Sequence, residues 1–278
     1  MNIQVTTLID NGRLDETILC EMGLALLVQA DDKRILFDTG ATSAFLDNAE
    51  SLSIDLSKVD YVVLSHAHFD HSGGLRSLCQ STRRKFELIL NPNFFQKKFM
   101  QEDNFLTYIG NDFSEEYLRV ENIKTTFPLT DVFKLAPNIF ILSNFEQVCD
   151  FEPRNPKFVT LHGGEYKPDG FSEEQVLVLQ TSKGLVIFTG CSHVGIVNIC
   201  ETVRKRLQEP IYAIMGGLHM KDADMERITK TGQYFKEIGV QKLGACHCSG
   251  DEAIAYLALE CPDFIDMPSG KVTIFEGI

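Results

Sequence analysis

The sequence lacks any surplus of positive charge. It contains 26 Lys and Arg residues against 39 Asp and Glu residues, which gives a formal net charge of -13. A chain this acidic is repelled by a phosphate backbone and by an anionic membrane surface over most of its area. We therefore expect no nucleic-acid partner and no membrane partner.

The sequence also lacks a long hydrophobic run. Its longer apolar stretches, such as GLALLV and IYAIM, are far too short to cross a bilayer. The first ten residues, MNIQVTTLID, contain neither the basic region nor the apolar core of a secretion signal. We expect a soluble, cytoplasmic protein.

No C-x-x-C pair occurs among the eight cysteines. A chain of 278 residues does not need disulfide bonds for stability, so we expect free thiols in a reducing cytoplasm. Cys246 and Cys248 flank His247 and would act together as soft metal ligands only if an extended strand continued through them. The favoured interpretation is that the cysteines are small, buried apolar side chains.

No linker, low-complexity tract or internal repeat divides the chain, so we predict a single domain over residues 1–278. Between about residues 92 and 150 the pattern weakens and aromatic residues accumulate, which predicts a lid or insertion. These aromatic side chains could stack on a planar substrate ring, pack on the sheet, or face a second subunit of a homo-oligomer. They are Phe94, Phe95, Phe99, Phe105, Tyr108 and Phe113.

The rest of the chain shows patterns of strands and helices. GLALLVQADDKRILFDTG predicts a hairpin, VDYVVLS a short buried strand, and EQVLVLQTSKGLVIFTG a second hairpin. Apolar residues at helical spacing in IVNICETVRKRLQ and DMERITKTGQYFKEIG predict helices, with IYAIMGG and VQKLGAC as neighbouring strands. This order predicts an α+β fold in which two sheets pack face to face with helices outside.

The segment VVLSHAHFDHSGGL places four ionisable residues directly after an apolar strand. His66 and His68 are two residues apart, so on an extended chain they project to one side and can bind one ion. Asp70 and His71 follow as the chain turns and can serve a second ion. Burying four such groups without a cation is costly, and neither a G-x-S-x-G motif nor a P-loop provides a competing site. Two metals, however, need more ligands than this segment contains.

Three of the other four histidines also follow apolar strands. His193, His219 and His247 end the runs VIFTGCSH, IYAIMGGLH and KLGACH. Strand ends at one edge of a sheet lie together, so these side chains could converge on the first cluster. Each could equally be a hydrogen-bonded structural residue. His162, in TLHGGE, has a weaker context, and we place it in a pocket or at the surface.

These motifs resemble a known family. The pattern H-x-H-x-D-H after an apolar strand, with Asp38 in FDTG upstream, is similar to that of the metallo-β-lactamase superfamily. Within it, FTGCSHVGIVNI, MGGLHM and CHCSG resemble a subgroup of metal-dependent hydrolases, some labelled dihydropterin ribofuranosyl-aminobenzene phosphate synthase-like. The resemblance covers nearly the whole chain. It implies a four-layer α/β/β/α sandwich with a two-metal site at one edge of the sheets.

The resemblance also implies two sets of metal ligands. They are His66, His68 and His193 for the first metal, and Asp70, His71 and His247 for the second. Many members have a bridging Asp where this chain has Cys191, which would be a soft ligand or, in the favoured interpretation, a neighbour. His193 could instead contribute at the bridging position, and His162 could replace it in the first set. Asp38 would hold the site by accepting hydrogen bonds rather than by binding metal.

Such a site supports hydrolysis. Two divalent ions, zinc or alternatively iron or manganese, can activate a shared water and polarise a substrate oxygen. Asp70 would orient the water and receive its proton, and His219 would donate to an oxyanion or a phosphate. We expect a metallo-hydrolase of a small ester or phosphoester, with a substrate that is phosphorylated or carries a planar ring. The alternatives are a transferase or synthase of pterin-type cofactor assembly and a metal-containing ligand-binding or sensing protein with little turnover.

Overall fold

A computed structural model describes residues 2–82 and 86–275 of the chain. Strands and helices alternate along these residues. In chain order the strands are β1 (Ile3–Ile9), β2 (Ala25–Ala30), β3 (Lys33–Phe37), β4 (Tyr61–Val63), β5 (Glu87–Ile89), β6 (Lys98–Glu102), β7 (Phe105–Tyr108), β8 (Lys124–Thr126), β9 (Val132–Ala136), β10 (Ile139–Ser143), β11 (Phe158–His162), β12 (Glu165–Pro168), β13 (Gln175–Thr181), β14 (Gly184–Thr189), β15 (Ile211–Gly217), β16 (Lys242–Cys246), β17 (Asp263–Phe264) and β18 (Val272–Phe275). The α-helices are α1 (Ala44–Ser51), α2 (Phe69–Ser72), α3 (Leu75–Ser81), α4 (Glu115–Val120), α5 (Ile196–Leu207), α6 (Met225–Glu237) and α7 (Asp251–Glu260). Short 3-10 helices cover Leu56–Lys58 and His247–Ser249. No helix within these two ranges is long and apolar enough to cross a membrane.

The first large sheet contains the first predicted hairpin. β2 and β3 pair antiparallel, with Leu26 opposite Phe37 and Ala30 opposite Lys33. The full strand order is β18-β1-β2-β3-β4-β5-β8. The strands from β18 to β3 are antiparallel neighbours, whereas β3, β4, β5 and β8 run parallel. The parallel part brings the ends of β3 and β4 to the same edge of the sheet.

The second large sheet has the order β17-β16-β15-β14-β13-β10-β9. β13 and β14 form the second predicted hairpin, which closes with Thr181 opposite Gly184. β14, β15, β16 and β17 are parallel, and the predicted helices α5 and α6 connect the first three of them. Parallel neighbours require such crossovers, and their ends come to one edge, where Thr189 pairs with Gly216 and Gly217 with Cys246.

The two large sheets pack face to face. Their facing sides share one buried core, which includes Leu26 and Phe37 from the first sheet and Leu177 and Phe188 from the second. The outer side of the first sheet packs against α1, α3 and α4, and that of the second against α5, α6 and α7. Each sheet thereby buries both faces. The predicted α+β, four-layer α/β/β/α sandwich is confirmed.

Residues 92–150, the predicted lid or insertion, contribute strands to three sheets. β8 joins the first sheet, β9 and β10 join the second, and β6 and β7 join a small sheet of order β12-β11-β6-β7. Phe94 and Phe113 are buried in the core, whereas Phe105 on β7 is 77% exposed. The single domain over residues 1–278 and the lid stay predictions, and Met1, residues 83–85 and residues 276–278 lie outside the described residues.

Candidate metal centre

Three histidine rings from two sheets converge at one edge of the sandwich. His66 and His68 follow β4, and His193 follows β14. His193 Nε2 lies 3.2 Å from His66 Nε2 and 3.2 Å from His68 Nδ1. All three side chains are buried. The structure therefore brings together the three residues predicted around the first metal.

A second group lies directly beside the first. His71 Nε2 is 3.1 Å from His247 Nε2, and Asp70 Oδ2 is 3.4 Å from His247 Nε2 and 3.9 Å from His71 Nε2. His71 lies on the short helix α2, and His247 follows β16. The two groups touch through His66 and His71, whose ring centroids are 4.2 Å apart. The three residues predicted around the second metal are thus also close together.

Asp38 connects the two groups through hydrogen bonds. Its Oδ1 accepts from the Ser65 backbone N–H at 2.7 Å, and its Oδ2 accepts from Ser65 Oγ at 2.7 Å. The same Oδ2 lies 2.7 Å from His71 Nδ1, and Ser65 Oγ lies 2.9 Å from His66 Nδ1. These contacts place a proton on the Nδ1 atom of each histidine and turn both Nε2 atoms toward the site. Asp38 therefore fulfils the predicted task of accepting hydrogen bonds.

His247 is held by two residues that the sequence analysis did not identify. Asp10 Oδ1 accepts from the His247 backbone N–H at 2.8 Å. Asn11 Oδ1 lies 3.0 Å from His247 Nδ1, and Asn11 Nδ2 donates to the His247 backbone oxygen at 3.1 Å. Asp10 and Asn11 directly follow the buried strand β1. Their position directly after an apolar strand could have indicated them, because the same pattern predicted the ligand histidines.

His193 is positioned by a carboxylate and an aromatic ring that the sequence analysis also missed. Glu174 accepts hydrogen bonds from the backbone N–H groups of His193 and Val194 at 2.8 and 2.9 Å. Burial raises the pKa of Glu174 to about 7. The Phe171 ring stacks on the imidazole of His193, with centroids 4.0 Å apart and an interplanar angle of 5°. Both residues precede β13, where no local pattern indicates a role.

The ring nitrogens of the first group are better suited to binding one metal cation than to sharing protons among themselves. Burial lowers the pKa of His66 and His193 well below the usual range, and it lowers the pKa of His68 to about 3. These imidazoles are therefore neutral, and His193 Nε2 faces two other ring nitrogens at once. A single proton can satisfy only one such pair, whereas one metal ion can accept lone pairs from three nitrogens.

The second group contains one anionic ligand, the carboxylate of Asp70. Burial lowers the pKa of His71, but the carboxylates of Asp38 and Asp70 outweigh that effect and raise it to about 9. Burial raises the pKa of Asp70, yet the neighbouring His71 and His247 hold it well below its usual range. Nitrogen and carboxylate oxygen donors of this kind suit zinc and several other divalent metals.

Cys191 lies beside the second group. Its Sγ is 3.2 Å from His71 Nε2, and the ligand atoms of Cys191, His66 and His71 lie within 4.8 Å of one another. The ligand atoms of Cys191, His219 and Cys248 form a further group within 4.8 Å of one another. Cys246 instead points into the core between the sheets, because β16 ends there and the strand does not continue to Cys248.

A cavity of about 240 Å³ opens onto both groups. His219 lines it, and the imidazole centroid of His219 is 4.2 Å from that of His193. His162 is exposed at the end of β11 and belongs to none of the converging ligand groups within the described residues. The residues lining the cavity are Asn11, Met22, His68, Phe69, Asp70, Met100, Ile109, Phe158, Cys191, His193, His219, Lys221, His247 and Cys248.

Comparison with known proteins identifies a family. Residues 19–85 match the model of the metallo-beta-lactamase superfamily. The chain is 32% identical to 7,8-dihydropterin-6-methyl-4-(beta-D-ribofuranosyl)-aminobenzene-5'-phosphate synthase of Methanocaldococcus jannaschii, over 99% of this chain and 97% of that protein.

Solved structures share the fold. The crystal structure of Tm1679, a metal-dependent hydrolase of the beta-lactamase superfamily, is similar with a TM-score of 0.85 and 30% identity, over 98% of each chain. A diphosphatase from the PhnP family is similar in fold alone, with a TM-score of 0.56 and 14% identity over 99% of this chain and 98% of that one. By its similarity over nearly its full length to the synthase and to the hydrolase, this chain belongs to the metallo-β-lactamase superfamily.

Proposed function

We propose that this protein is a hydrolase that uses two divalent metal ions, zinc in preference to iron or manganese, to cleave a small ester or phosphoester. The observation that carries the proposal is the contact between two three-residue ligand groups beside one cavity. Catalytic zinc sites have three protein ligands and one open position. Each group supplies three donors, and members of both groups line the cavity.

The ligand assignment follows the two groups. His66, His68 and His193 would hold the first metal, and Asp70, His71 and His247 the second. When bound, two such ions would activate a water and polarise an oxygen of the substrate. Asp70 lines the cavity and is ionised, since its pKa lies well below the usual range despite burial. Its second oxygen would orient the water and accept a proton from it.

His219 would act on the substrate rather than on a metal. It lines the cavity beside His193, and its Nδ1 is buried without a hydrogen-bond partner in the described part of the chain. A free ring nitrogen at this position can donate a hydrogen bond to an oxygen on which negative charge develops. We assign His219 to that role.

The substrate would be small and would bind with part of its surface on apolar side chains. Met100, Ile109 and Phe158 line the cavity together with the metal-binding residues. A largely apolar pocket with a few polar groups is typical of small-molecule sites. The eight cysteines are free, which supports the proposal that the protein works in the reducing cytoplasm.

The test compares metal content with turnover. The purified protein, its chelated form and a His68→Ala variant are analysed for metals and assayed on a bis-aryl phosphodiester. His162→Ala serves as the matched control because His162 is exposed and outside the ligand groups. We expect about two metals per chain in the native protein. Metal and activity should be lost together on chelation and in His68→Ala, whereas His162→Ala should keep both. A protein without metal would contradict the site, and two metals without turnover would favour a sensing protein.

A second candidate function is that of a synthase. The M. jannaschii relative, 32% identical over 99% of this chain, carries the name of a synthase of a ribofuranosyl-aminobenzene phosphate compound. A synthase needs a second organic substrate, whereas a hydrolase incorporates oxygen from water. Turnover in ¹⁸O-labelled water separates them, because label in the product supports hydrolysis. Product formation only when a pterin-type co-substrate is added would support the synthase.

A further inference from the structure

A second cavity adjoins the one at the metal centre. It has a volume of about 370 Å³ and lies between the loop that follows Glu152 and the turn that precedes α6. His219, Lys221 and Cys248 line both cavities. The two spaces therefore meet at His219, the residue proposed to contact the substrate. A molecule longer than one cavity can extend from the metal centre into the second.

Positive charge is concentrated in this second cavity although the chain as a whole is acidic. Arg154, Lys221 and Arg227 line it, against the single carboxylate of Asp222. Within the described residues, the side chains of Arg154 and Lys221 make no hydrogen bond or salt bridge. Unpaired cations that face one concave space, in a chain of formal net charge -13, indicate a site for an anion.

Arg227 has unused hydrogen-bonding capacity. Its Nε is buried and has no partner within residues 2–82 and 86–275. The neighbouring carboxylate of Glu152 attracts Arg227 electrostatically, but it accepts hydrogen bonds from the backbone N–H groups of Val197 and Asn198 at 3.0 to 3.1 Å. A guanidinium whose N–H groups lack acceptors matches the paired oxygens of a phosphate.

We propose that the second cavity binds a phosphate monoester group of the substrate through Arg154, Lys221 and Arg227, while the reacting bond lies at the metal centre. Three cations against one carboxylate suit a dianion, which a phosphate monoester is near neutral pH. The phosphate would then serve for recognition and would not be the group that is cleaved. This inference rests on the proposed function, because it assumes that a substrate occupies the first cavity.

The experiment measures phosphate binding without requiring turnover. Full-length protein, as purified, is dialysed to equilibrium against radiolabelled inorganic phosphate at low ionic strength. The variants are Arg154→Gln with Arg227→Gln, Arg227→Lys, and Arg119→Gln as the matched control. Arg119 is an exposed arginine on α4 and lines neither cavity. Since Arg154 is exposed, Arg154→Gln alone keeps the test available if the double variant does not fold.

The double variant should bind phosphate about tenfold more weakly or worse than the control, because it loses two charge-assisted contacts. Arg227→Lys keeps the charge and should lie between the two. Binding in the double variant equal to that in Arg119→Gln would overturn the inference, since the phosphate would then be held by the metal centre alone. Displacement of phosphate by acetate as readily as by phenyl phosphate would also overturn it, in favour of a carboxylate.

The two proposals fail in different ways. Metal content and hydrolysis of the phosphodiester test the function, whereas dialysis tests the cationic cavity. Phosphate binding that depends on Arg154 and Arg227 supports the cavity assignment whether or not the phosphodiester is cleaved. If the protein binds two metals and turns over the phosphodiester, but its phosphate affinity does not depend on Arg154 and Arg227, only the cavity assignment is overturned.

Discussion

Replacing Asp38 with Asn should damage both metal sites at once, although Asp38 belongs to neither ligand group. Asp38 is fully buried, and its two oxygens accept from the Ser65 backbone N–H, from Ser65 Oγ and from His71 Nδ1. An amide of the same shape offers one acceptor oxygen and one NH₂ group. In either orientation, the NH₂ group of Asn faces at least one group that donates to Asp38 in the native protein.

The orientation of the new side-chain amide determines which hydrogen bonds are lost. If the NH₂ faces His71 and Ser65 Oγ, the protons on His71 and His66 shift to the Nε2 atoms, which then have no lone pair for a metal. If it faces the Ser65 N–H, that donor is left unpaired in the core. Losing a hydrogen bond to a charged group costs about 1.5–3 kcal/mol of stability. Loss of such a partner lowers metal affinity by about 10- to 100-fold, which equals about 1.4–2.7 kcal/mol.

The assay combines metal analysis with unfolding. Metals per chain are measured after dialysis against a graded metal buffer, and the free energy of unfolding is taken from urea titration. The control is Glu152→Gln, another buried carboxylate, which accepts hydrogen bonds from the backbone N–H groups of Val197 and Asn198. The control should lose stability, since the amide leaves a backbone N–H group without its acceptor, but it should keep its metals. Full occupancy of both sites in Asp38→Asn, with unchanged affinity, would refute the proposed role of Asp38.

Three further substitutions test the surroundings of the site. Gly74→Ala places a methyl group against the backbone oxygen of Thr39 and should lower the free energy of unfolding by about 1–3 kcal/mol in urea titration. Glu174→Gln leaves one of two backbone N–H groups without its acceptor, and we expect a loss of about 1–3 kcal/mol by the same measurement. Phe171→Leu removes the ring stacked on His193 and should weaken the first metal more than the second in competition with a chromophoric chelator. Equal weakening of both metals would contradict the last expectation.

Much of the fold could be predicted because its large sheets follow local patterns. The hairpin of residues 25–37 and the strand–helix unit of residues 184–207 each show a hydrophobic period within their own sequence. The small sheet has no such signal. All four residues of β7 are exposed, and β6 pairs with β11, a strand more than 50 residues further along the chain. Pairing of this kind depends on tertiary contacts and not on a local period.

The candidate site was predictable for its histidines and not for the residues that hold them. His193 and His247 could be found because each follows an apolar strand, and strand ends of parallel neighbours meet at one edge. The position of Asp10 after an apolar strand indicates a sheet edge but does not identify its partner, and Glu174 has no comparable local signal. Asp10 contacts His247 across a separation of 237 residues, and that contact exists only once the two sheets have packed.

The same carboxylates also explain how strained backbone persists at this edge. Asp38 and His247 have φ angles of 62° and 54°, in the left-handed region that disfavours residues with a side chain. Such a residue costs about 1–3 kcal/mol and persists only where its surroundings hold it in place. The Asp38 side chain accepts three hydrogen bonds, and Asp10 accepts the backbone N–H of His247. The hydrogen bonds that orient the ligands therefore also stabilise the turns that carry them, so loss of ligand geometry and loss of local stability should occur together at these positions.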